Sequence, residues 1–142
     1  MRKFYIGNIT PDANTIFVFG SNTEGRHGAG AAKVAIEQFG AIYGQGQGLQ
    51  GNSYALPTKD LRVKENRGIR SISKENIVKS IKKLYETARK HPDKMFKIAY
   101  RNTHSTSLNG YTGLEMIDMF LEAGPIPDNI IFSQEWINTG KL

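Results

Sequence analysis

The sequence predicts an α/β sandwich with a largely parallel sheet, and two observations support this fold class. Short apolar segments typical of strands alternate with longer segments in which apolar residues recur at helical spacing. The apolar segment at residues 15–19 lacks polar alternation, which is typical of a strand covered on both faces. The 142 residues suffice for a substantial core, so we expect a single domain over residues 1–142.

The predicted strands lie at residues 4–6, 15–19, 53–57, 94–100 and 129–132. Helices are predicted at residues 31–39, at about residues 74–90, and behind Thr112. Ser73 is suited to cap the second of these helices, and Thr112 and Glu115 have the spacing of a capping box for the third. Trp136 is expected to cover an edge of the core.

A glycine-rich turn at residues 20–30 follows the strand at 15–19 and leads into the first predicted helix. Such a turn exposes backbone N–H groups at the positive end of a helix, which suits a phosphate. Its glycines lack Cβ and therefore allow a ligand to approach the backbone closely. A tight strand-to-helix connection without a ligand is the alternative, and the spacing alone leaves both interpretations open.

The segment at residues 46–51 matches the G-x-G-x-x-G pattern of dinucleotide-binding sites, but we reject that interpretation. The pattern carries its meaning only where it leaves a strand and opens a helix. Here it precedes the predicted strand at 53–57, and no helical spacing begins at it. Residues 40–52, rich in Gly and Gln, are therefore predicted to form a flexible surface loop.

Two loops are expected to meet at one edge of the sheet. The loops that follow the strands at 15–19 and 94–100 both leave carboxyl ends and both lead into helix N-termini. In open α/β sheets, ligands bind at the carboxyl ends of strands. If the two strands are neighbours, the loops form one cleft with two sets of backbone donors, which suits a diphosphate. The loop at residues 59–70 could reach the same cleft.

Composition excludes several classes of site. The chain has no cysteine, and its three histidines are scattered without metal-ligand spacing, so no metal or cofactor is predicted. No apolar run approaches the roughly 20 residues of a membrane span, and a cytoplasmic location is expected. Residues 59–101 carry 14 Lys and Arg against 5 Asp and Glu. That segment either faces a phosphate-bearing partner or is a solvated basic surface, and we favour the second interpretation.

Three short motifs occur in the order expected for macro domains, and the chain resembles that family over nearly its whole length. Residues 7–10, Gly-Asn-Ile-Thr, resemble the Gly-Asp-Ile-Thr that opens many macro domains. Residues 19–22, Phe-Gly-Ser-Asn, and 28–30, Gly-Ala-Gly, stand where the family has Asn-Ala-Ala-Asn and a glycine loop. Residues 105–112 resemble its second phosphate loop. Residues 20–32 and 53–60 also resemble a little-characterised macro-like family of bacteriophages and bacteria.

The resemblance implies a three-layer α/β/α sandwich with a mixed, mostly parallel sheet, and ADP-ribose or a close relative as ligand. It assigns the diphosphate to the two glycine-containing loops, the distal ribose to Asn22, and adenine to Asn8. The family usually has Asp at the position of Asn8, so a base other than adenine stays open. The implied ligand-binding residues are Asn8, Ile9, Gly20, Ser21, Asn22, Arg26, His27, Gly28, Ala29, Gly30, Thr58, Ser105, Thr106, Ser107, Leu108, Asn109, Gly110 and Tyr111.

One branch of the family removes ADP-ribose from glutamate side chains or DNA bases with a lysine and an Asp in the second loop. Lys59 matches that lysine, but Asn109 stands where the Asp is expected, and an amide cannot accept a proton at neutral pH. Asp60 and His104 are candidate substitutes, so the candidate catalytic residues are Lys59, Asp60 and His104. A loop residue without a catalytic role is the alternative for His104, and His27 either contacts the ligand or only fills its turn.

Three functional hypotheses follow. The first is a module that binds ADP-ribose, a related NAD-derived nucleotide or an ADP-ribosylated target; the second is an ADP-ribosyl glycohydrolase. The third is a nucleic-acid-binding module, ranked last because the basic segment lacks interleaved aromatic residues. Candidates for charge-assisted phosphate contacts are Arg26, Arg67, Arg70 and Arg101. A phage-encoded protein would act in the cytoplasm of its bacterial host, and no membrane partner is expected.

Overall fold

A computed structural model describes residues 2–62 and 70–142 and confirms the predicted α/β class. Its strands are β1 (Phe4–Tyr5), β2 (Thr15–Asn22), β3 (Gly48–Gln50), β4 (Ser53–Lys59), β5 (Met95–Ile98) and β6 (Ile130–Ser133). They form one six-stranded sheet in the order β1-β6-β5-β2-β4-β3. Neighbouring strands are parallel except for the antiparallel pair β3 and β4.

The helices of the described part cover both faces of the sheet and complete the three predicted layers. They are α1 (Gly30–Phe39), α2 (Lys74–Lys90), α3 (Gly113–Glu122) and α4 (Gln134–Ile137). On one face α1 packs against β2, with the rings of Phe39 and Phe17 stacked 4.4 Å apart. On the other face α2 and α3 pack around Val18. Because successive residues of β2 point to opposite covered faces, the strand has no polar alternation.

The helix starts follow the capping signals in the sequence, with one exception. Ser73 accepts a hydrogen bond at the start of α2, Ser133 does so for α4, and Thr112 and Glu115 form the predicted capping box of α3. By contrast, α1 has Ala29 at its N-cap position, so it has no side-chain cap, and its first turn contains no acidic residue. The first N–H groups of α1 therefore lack a side-chain acceptor. None of the helices in the described ranges is long and apolar enough to cross a lipid bilayer.

The prediction of a loop over residues 40–52 is wrong for Gly48–Gln50, which form the edge strand β3. The G-x-G-x-x-G segment lies in a hairpin with β4, so its rejection as a dinucleotide fingerprint is confirmed. The rest of this segment is packed against the glycine-rich turn. Gly44 donates its N–H to the carbonyl of Gly25 at 2.8 Å, and a Cβ at Gly46 would lie 2.4 Å from the carbonyl oxygen of Asn22. The segment therefore supports the turn from behind.

Trp136 covers the core edge, as predicted, but it does so from a short helix, α4, that was not predicted. Its side chain is fully buried and stacks on Tyr100 with the ring centroids 5.9 Å apart. The indole N–H donates to the carbonyl of Asn102 at 2.8 Å, which ties the segment after β5 to the C-terminal helix.

Gly20 marks the closest approach between β2 and the segment after β5. A Cβ built on Gly20 would lie 2.1 Å from the hydroxyl oxygen of Tyr100 and 2.9 Å from its Cζ. That hydroxyl also lies 3.3 Å from Thr58 Oγ1 at the end of β4. A side chain at Gly20 therefore requires Tyr100 to move away from both strands.

Replacing Gly20 with Ala is expected to lower the free energy of unfolding by about 1–3 kcal/mol, because the added methyl overpacks the contact with Tyr100. Chemical denaturation measures this change. Gly28→Ala is the matched control, since a Cβ at Gly28 would have no atom within 4 Å and its φ is not in the left-handed region. Gly20→Ala combined with Tyr100→Phe is expected to recover part of the loss. Equal stability of the two single variants would contradict this account.

Candidate functional site

A cavity of about 380 Å³ opens at the carboxyl ends of β2 and β4, beside the N-terminus of α1. We call it the first cavity. Because β2 is paired with both β4 and β5, the loops that follow these strands meet there, as the sequence predicted. Its lining residues are Gly20, Ser21, Asn22, Arg26, Gly28, Ala29, Gly30, Ala31, Ala32, Thr58, Lys59, Leu61, Ala99, Tyr100, Ser107, Leu108 and Asn109.

A second cavity of about 420 Å³ adjoins the first. The two share Ala31 of α1 and Ala99 after β5, so they form two parts of one groove across the carboxyl edge of the sheet. The second cavity is lined by Tyr5, Asn8, Ile9, Thr10, Phe17, Ala31, Val34, Gln38, Ala99 and Arg101. Asn8 and Ile9, both predicted to bind the ligand, therefore lie at the opposite end of the groove from Asn22 and Lys59.

The groove is electropositive. Arg26 and Lys59 line the first cavity, Arg101 lines the second, and no Asp or Glu lines either of them within residues 2–62 and 70–142. The uncapped N-terminus of α1 enters the wall between them at Ala31. Backbone N–H groups and the positive end of the helix dipole favour an anion at this position. The lining therefore suits a ligand with negative charge at its centre.

The glycine-rich turn is held in shape by its own polar side chains. Asn22 accepts the backbone N–H of Arg26 and donates to the carbonyl of Arg26, both at 2.9 Å. Ser21 donates its hydroxyl to the carbonyl of Gly46. His27 is 2% exposed, does not line the groove, and lies with Nε2 2.9 Å from the carbonyl of Gln45. Thus Asn22 and Ser21 line the first cavity while maintaining the turn, and His27 supports it from behind.

The second loop lines the first cavity only through its central residues. Ser107, Leu108 and Asn109 line it, whereas the other predicted members of the loop do not: Ser105, Thr106, Gly110 and Tyr111. Asn109 is 2% exposed, and its side-chain oxygen accepts the backbone N–H of Tyr111 at 2.9 Å. Leu108 is 75% exposed at the opening. The amide of Asn109 thus fixes the loop that carries this exposed apolar side chain.

The N-terminus of α3, which follows the second loop, is closed by its own capping contacts. The Thr112 hydroxyl accepts the N–H of Glu115 at 3.1 Å, and the N–H of Leu114 donates to the carbonyl of Thr103 at 3.0 Å. The chain at Asn102 also packs directly over Gly113. Only α1 presents an uncapped N-terminus to the groove within the described part of the chain.

The three candidate catalytic residues are separated. Lys59 lines the first cavity together with Asn109. Asp60 lies outside that lining and is held by Arg62, with atoms of the two side chains 3.0 and 2.8 Å apart, which lowers the pKa of Asp60 to about 2. His104 is exposed, 3.2 Å from the Thr103 hydroxyl, and also outside the lining. The structure therefore brings neither Asp60 nor His104 to the cavity that Lys59 lines.

The predicted phosphate-contacting arginines have different surroundings. Arg26 and Arg101 line the groove, at its two ends. Arg70 instead supports the second loop: it donates to the carbonyl of Gly110 at 3.2 Å and to Glu115 at 2.7 Å, and lies 4.6 Å from the ring centre of Tyr111. Arg67 lies outside the described residues. The numerous lysines of α2 line neither cavity: Lys74, Lys79, Lys82, Lys83 and Lys90.

Several groove residues were not predicted as site residues. Tyr100 and Ala99 were interpreted only as parts of a strand, and Ala31 and Val34 only as parts of a helix. The signal that could have identified Ala99 and Tyr100 is their position at the carboxyl end of a predicted parallel strand. Burial raises the pKa of the Tyr100 hydroxyl, so this group stays protonated beside Thr58 and Asn109.

The chain was also compared with known proteins. No protein-family model, no curated protein sequence and no solved structure matched it.

Glu115 gives a pH-dependent test of how the second loop is held. The pKa of Glu115 is lowered, first by the hydrogen bond from the N–H of Thr112 and then by the charge of Arg70. A carboxyl with a lowered pKa contributes stability above its unfolded pKa and loses that contribution as the pH falls through its lower folded value. Stability from Glu115 is therefore present at neutral pH and is lost as the pH falls from the ordinary glutamate pKa of 4.5 through the lower folded pKa.

Glu115→Gln is expected to lower the free energy of unfolding by about 0.2–1 kcal/mol near pH 7, because Gln keeps the cap but not the charge. The difference from wild type is expected to shrink in denaturation curves as the pH falls below 4.5, and to disappear below the lowered folded pKa of Glu115. Glu122→Gln, which removes an exposed carboxylate from the end of the same helix, is the matched charge control. A Glu115→Gln effect of the same size at every pH would show that charge is not involved.

Proposed function

We propose that this protein binds ADP-ribose, a closely related NAD-derived nucleotide, or the same group attached to a macromolecule. The observation that carries this proposal is the two-part groove, which is electropositive and has the uncapped start of α1 at its centre. The motif resemblance to macro domains, made from residues 7–10, 19–22, 28–30 and 105–112, points to the same ligand class.

The centre of the groove suits a diphosphate. Gly28 has open space around it, so phosphate oxygens have access to the backbone next to the free N–H groups of α1. Arg26 is on the same side and is exposed, so it has the reach to make a charge-assisted hydrogen bond to a phosphate. A diphosphate at this position would place one of its two substituents in each cavity. A nucleoside diphosphate that is linked to a sugar has this arrangement.

The lining favours binding over turnover. A glycosyl hydrolase needs a group that can accept a proton from the attacking water. Lys59 and Asn109 are in the first cavity, but an amide cannot act as a base and no carboxylate lines this cavity in the described ranges. Asp60, with a pKa of about 2, is a weak base at neutral pH as well as being held by Arg62. We therefore rank hydrolysis second.

Titration calorimetry with ADP-ribose tests the proposal, with AMP and NAD as comparison ligands. A dissociation constant of about 1 μM or lower, equivalent to about −8 kcal/mol, is expected for ADP-ribose. Gly28→Ala is expected to weaken binding at least about tenfold, since its methyl occupies space that the phosphates need while the fold is unaffected. Arg26→Gln is expected to weaken binding about tenfold through the loss of a charge-assisted contact.

Lys90→Gln is the matched charge control for these variants, because Lys90 is exposed at the end of α2 and lines neither cavity. Its affinity for ADP-ribose is expected to equal that of the wild type. Absence of heat with ADP-ribose would overturn the proposal, and equal losses in Arg26→Gln and Lys90→Gln would show that only net charge matters.

Hydrolysis is tested separately with a protein or DNA that carries an ADP-ribosyl group, under single-turnover conditions at saturating enzyme. We expect no release of ADP-ribose above the uncatalysed rate, because no carboxylate or imidazole lines the first cavity in the described residues. Release that is lost in Lys59→Gln and kept in Lys90→Gln would instead establish the hydrolase alternative. Saturating conditions separate this outcome from weaker binding by Lys59→Gln.

A further inference from the structure

The second cavity has the walls of a base-binding pocket. Ile9, Val34, Ala31 and Ala99 contribute apolar surface, which suits the faces of an aromatic ring. At its rim, Asn8 and Arg101 are joined by a hydrogen bond of 2.7 Å between Arg101 Nη2 and Asn8 Oδ1. A base in the second cavity would contact this pair and the polar side chains of Thr10 and Gln38.

The chemistry of the pair fixes the orientation of the Asn8 amide. A guanidinium has five N–H donors and no acceptor, so only the amide oxygen of Asn8 can face Arg101. One acceptor site of that oxygen is therefore already used, and the unused groups of the pair are the Asn8 NH₂ and the remaining guanidinium N–H groups. No carboxylate lines the second cavity in the described part of the chain, so this rim is dominated by donors.

Purine bases differ in what they offer to such a rim. Adenine presents a ring-nitrogen acceptor beside an amino donor, and Asn recognises it by using its amide oxygen and its amide nitrogen together. A 6-oxopurine presents two adjacent acceptors, the ring nitrogen and the carbonyl oxygen, which match paired donors such as those of Arg. With one acceptor site of the Asn8 oxygen used by Arg101 and several N–H groups of the pair unused, the rim has more donors than acceptors to offer and is better suited to the second pattern.

We propose that the second cavity selects nucleotides whose base carries a 6-oxo group, hypoxanthine or guanine, over those with the 6-amino group of adenine. This inference rests on the proposed function, since it names the base end of the same groove. Asn8 and Arg101 are the residues that determine the specificity. The phosphates are recognised by the start of α1 and Arg26, whichever base is attached.

The experiment compares IDP with ADP by titration calorimetry, because these two nucleotides carry the same ribose and phosphates and differ only at the 6-position and its adjacent ring nitrogen. IDP is expected to bind at least about fivefold more tightly than ADP, the lower end of the discrimination given by a bidentate base contact. Equal affinities, or tighter binding of ADP, would overturn the inference. If ADP-ribose still bound, the proposed function would stand; if neither diphosphate nor ADP-ribose bound, both would fall.

Two variants separate the rim from the rest of the groove. Asn8→Asp replaces the amide NH₂ with a second oxygen, which can accept a hydrogen bond from the amino group of adenine. The preference for IDP is therefore expected to reverse in favour of ADP. Arg101→Gln releases the Asn8 oxygen and is expected to bring the IDP-to-ADP ratio close to one. Arg89→Gln, which removes an exposed arginine that lines neither cavity, is expected to keep the wild-type ratio. An unchanged IDP-to-ADP affinity ratio in both rim variants would show that Asn8 and Arg101 do not determine base specificity.

Discussion

The contact between Gly20 and Tyr100 is the constraint on which the groove depends. The Tyr100 phenol fits against β2 only because Gly20 has no Cβ, and there its hydroxyl reaches Thr58 at the end of β4 and lies 3.5 Å from Asn109 Nδ2 in the second loop. On its other side the ring stacks on Trp136, which is fully buried and bonded to Asn102. One aromatic residue thus links the carboxyl ends of two neighbouring strands, the second loop and the C-terminal helix. Because protein interiors are closely packed, a shift of this ring would be transmitted to each of these segments.

The remaining polar groups divide into those that the fold uses and those that it leaves for a ligand. Hydrogen bonds to neighbouring backbone groups engage the side chains of Ser21, Asn22 and Asn109. These side chains therefore fix the shape of the first cavity. Glu115 and Arg70 likewise belong to the support of the second loop. What stays available at the groove is the start of α1 together with three cationic side chains. Arg26, Arg101 and Gly30 at the start of α1 are exposed, so they attract an anion through their charge and the helix dipole rather than through a burial penalty.

Much of this fold could be predicted from the sequence, because the signals are local. Helix α2 was predicted with its observed bounds, since a capping serine, an apolar stripe and a closing His-Pro all lie within one segment. Strand β3 was missed because the segment around it, rich in Gly and Gln, gives no strand pattern. The strand forms through its pairing with β4. The same division applies to the site. The loops that line the groove follow from strand order and carboxyl ends, whereas the role of Tyr100 depends on a glycine 80 positions away. Contacts between distant residues leave no pattern in a single sequence.

Lys59, which the motif resemblance likens to the lysine of a hydrolase, lines the first cavity without a carboxylate among the described lining residues. A lysine in a groove can stabilise negative charge on a phosphate or a departing group. The amide of Asn109 points its oxygen at the backbone of Tyr111, where it serves the loop. A carboxylate at the same position would be nearly enclosed, and its charge would carry a desolvation cost unless it were paired. An amide at this position therefore avoids the cost of burying a charge in the second loop.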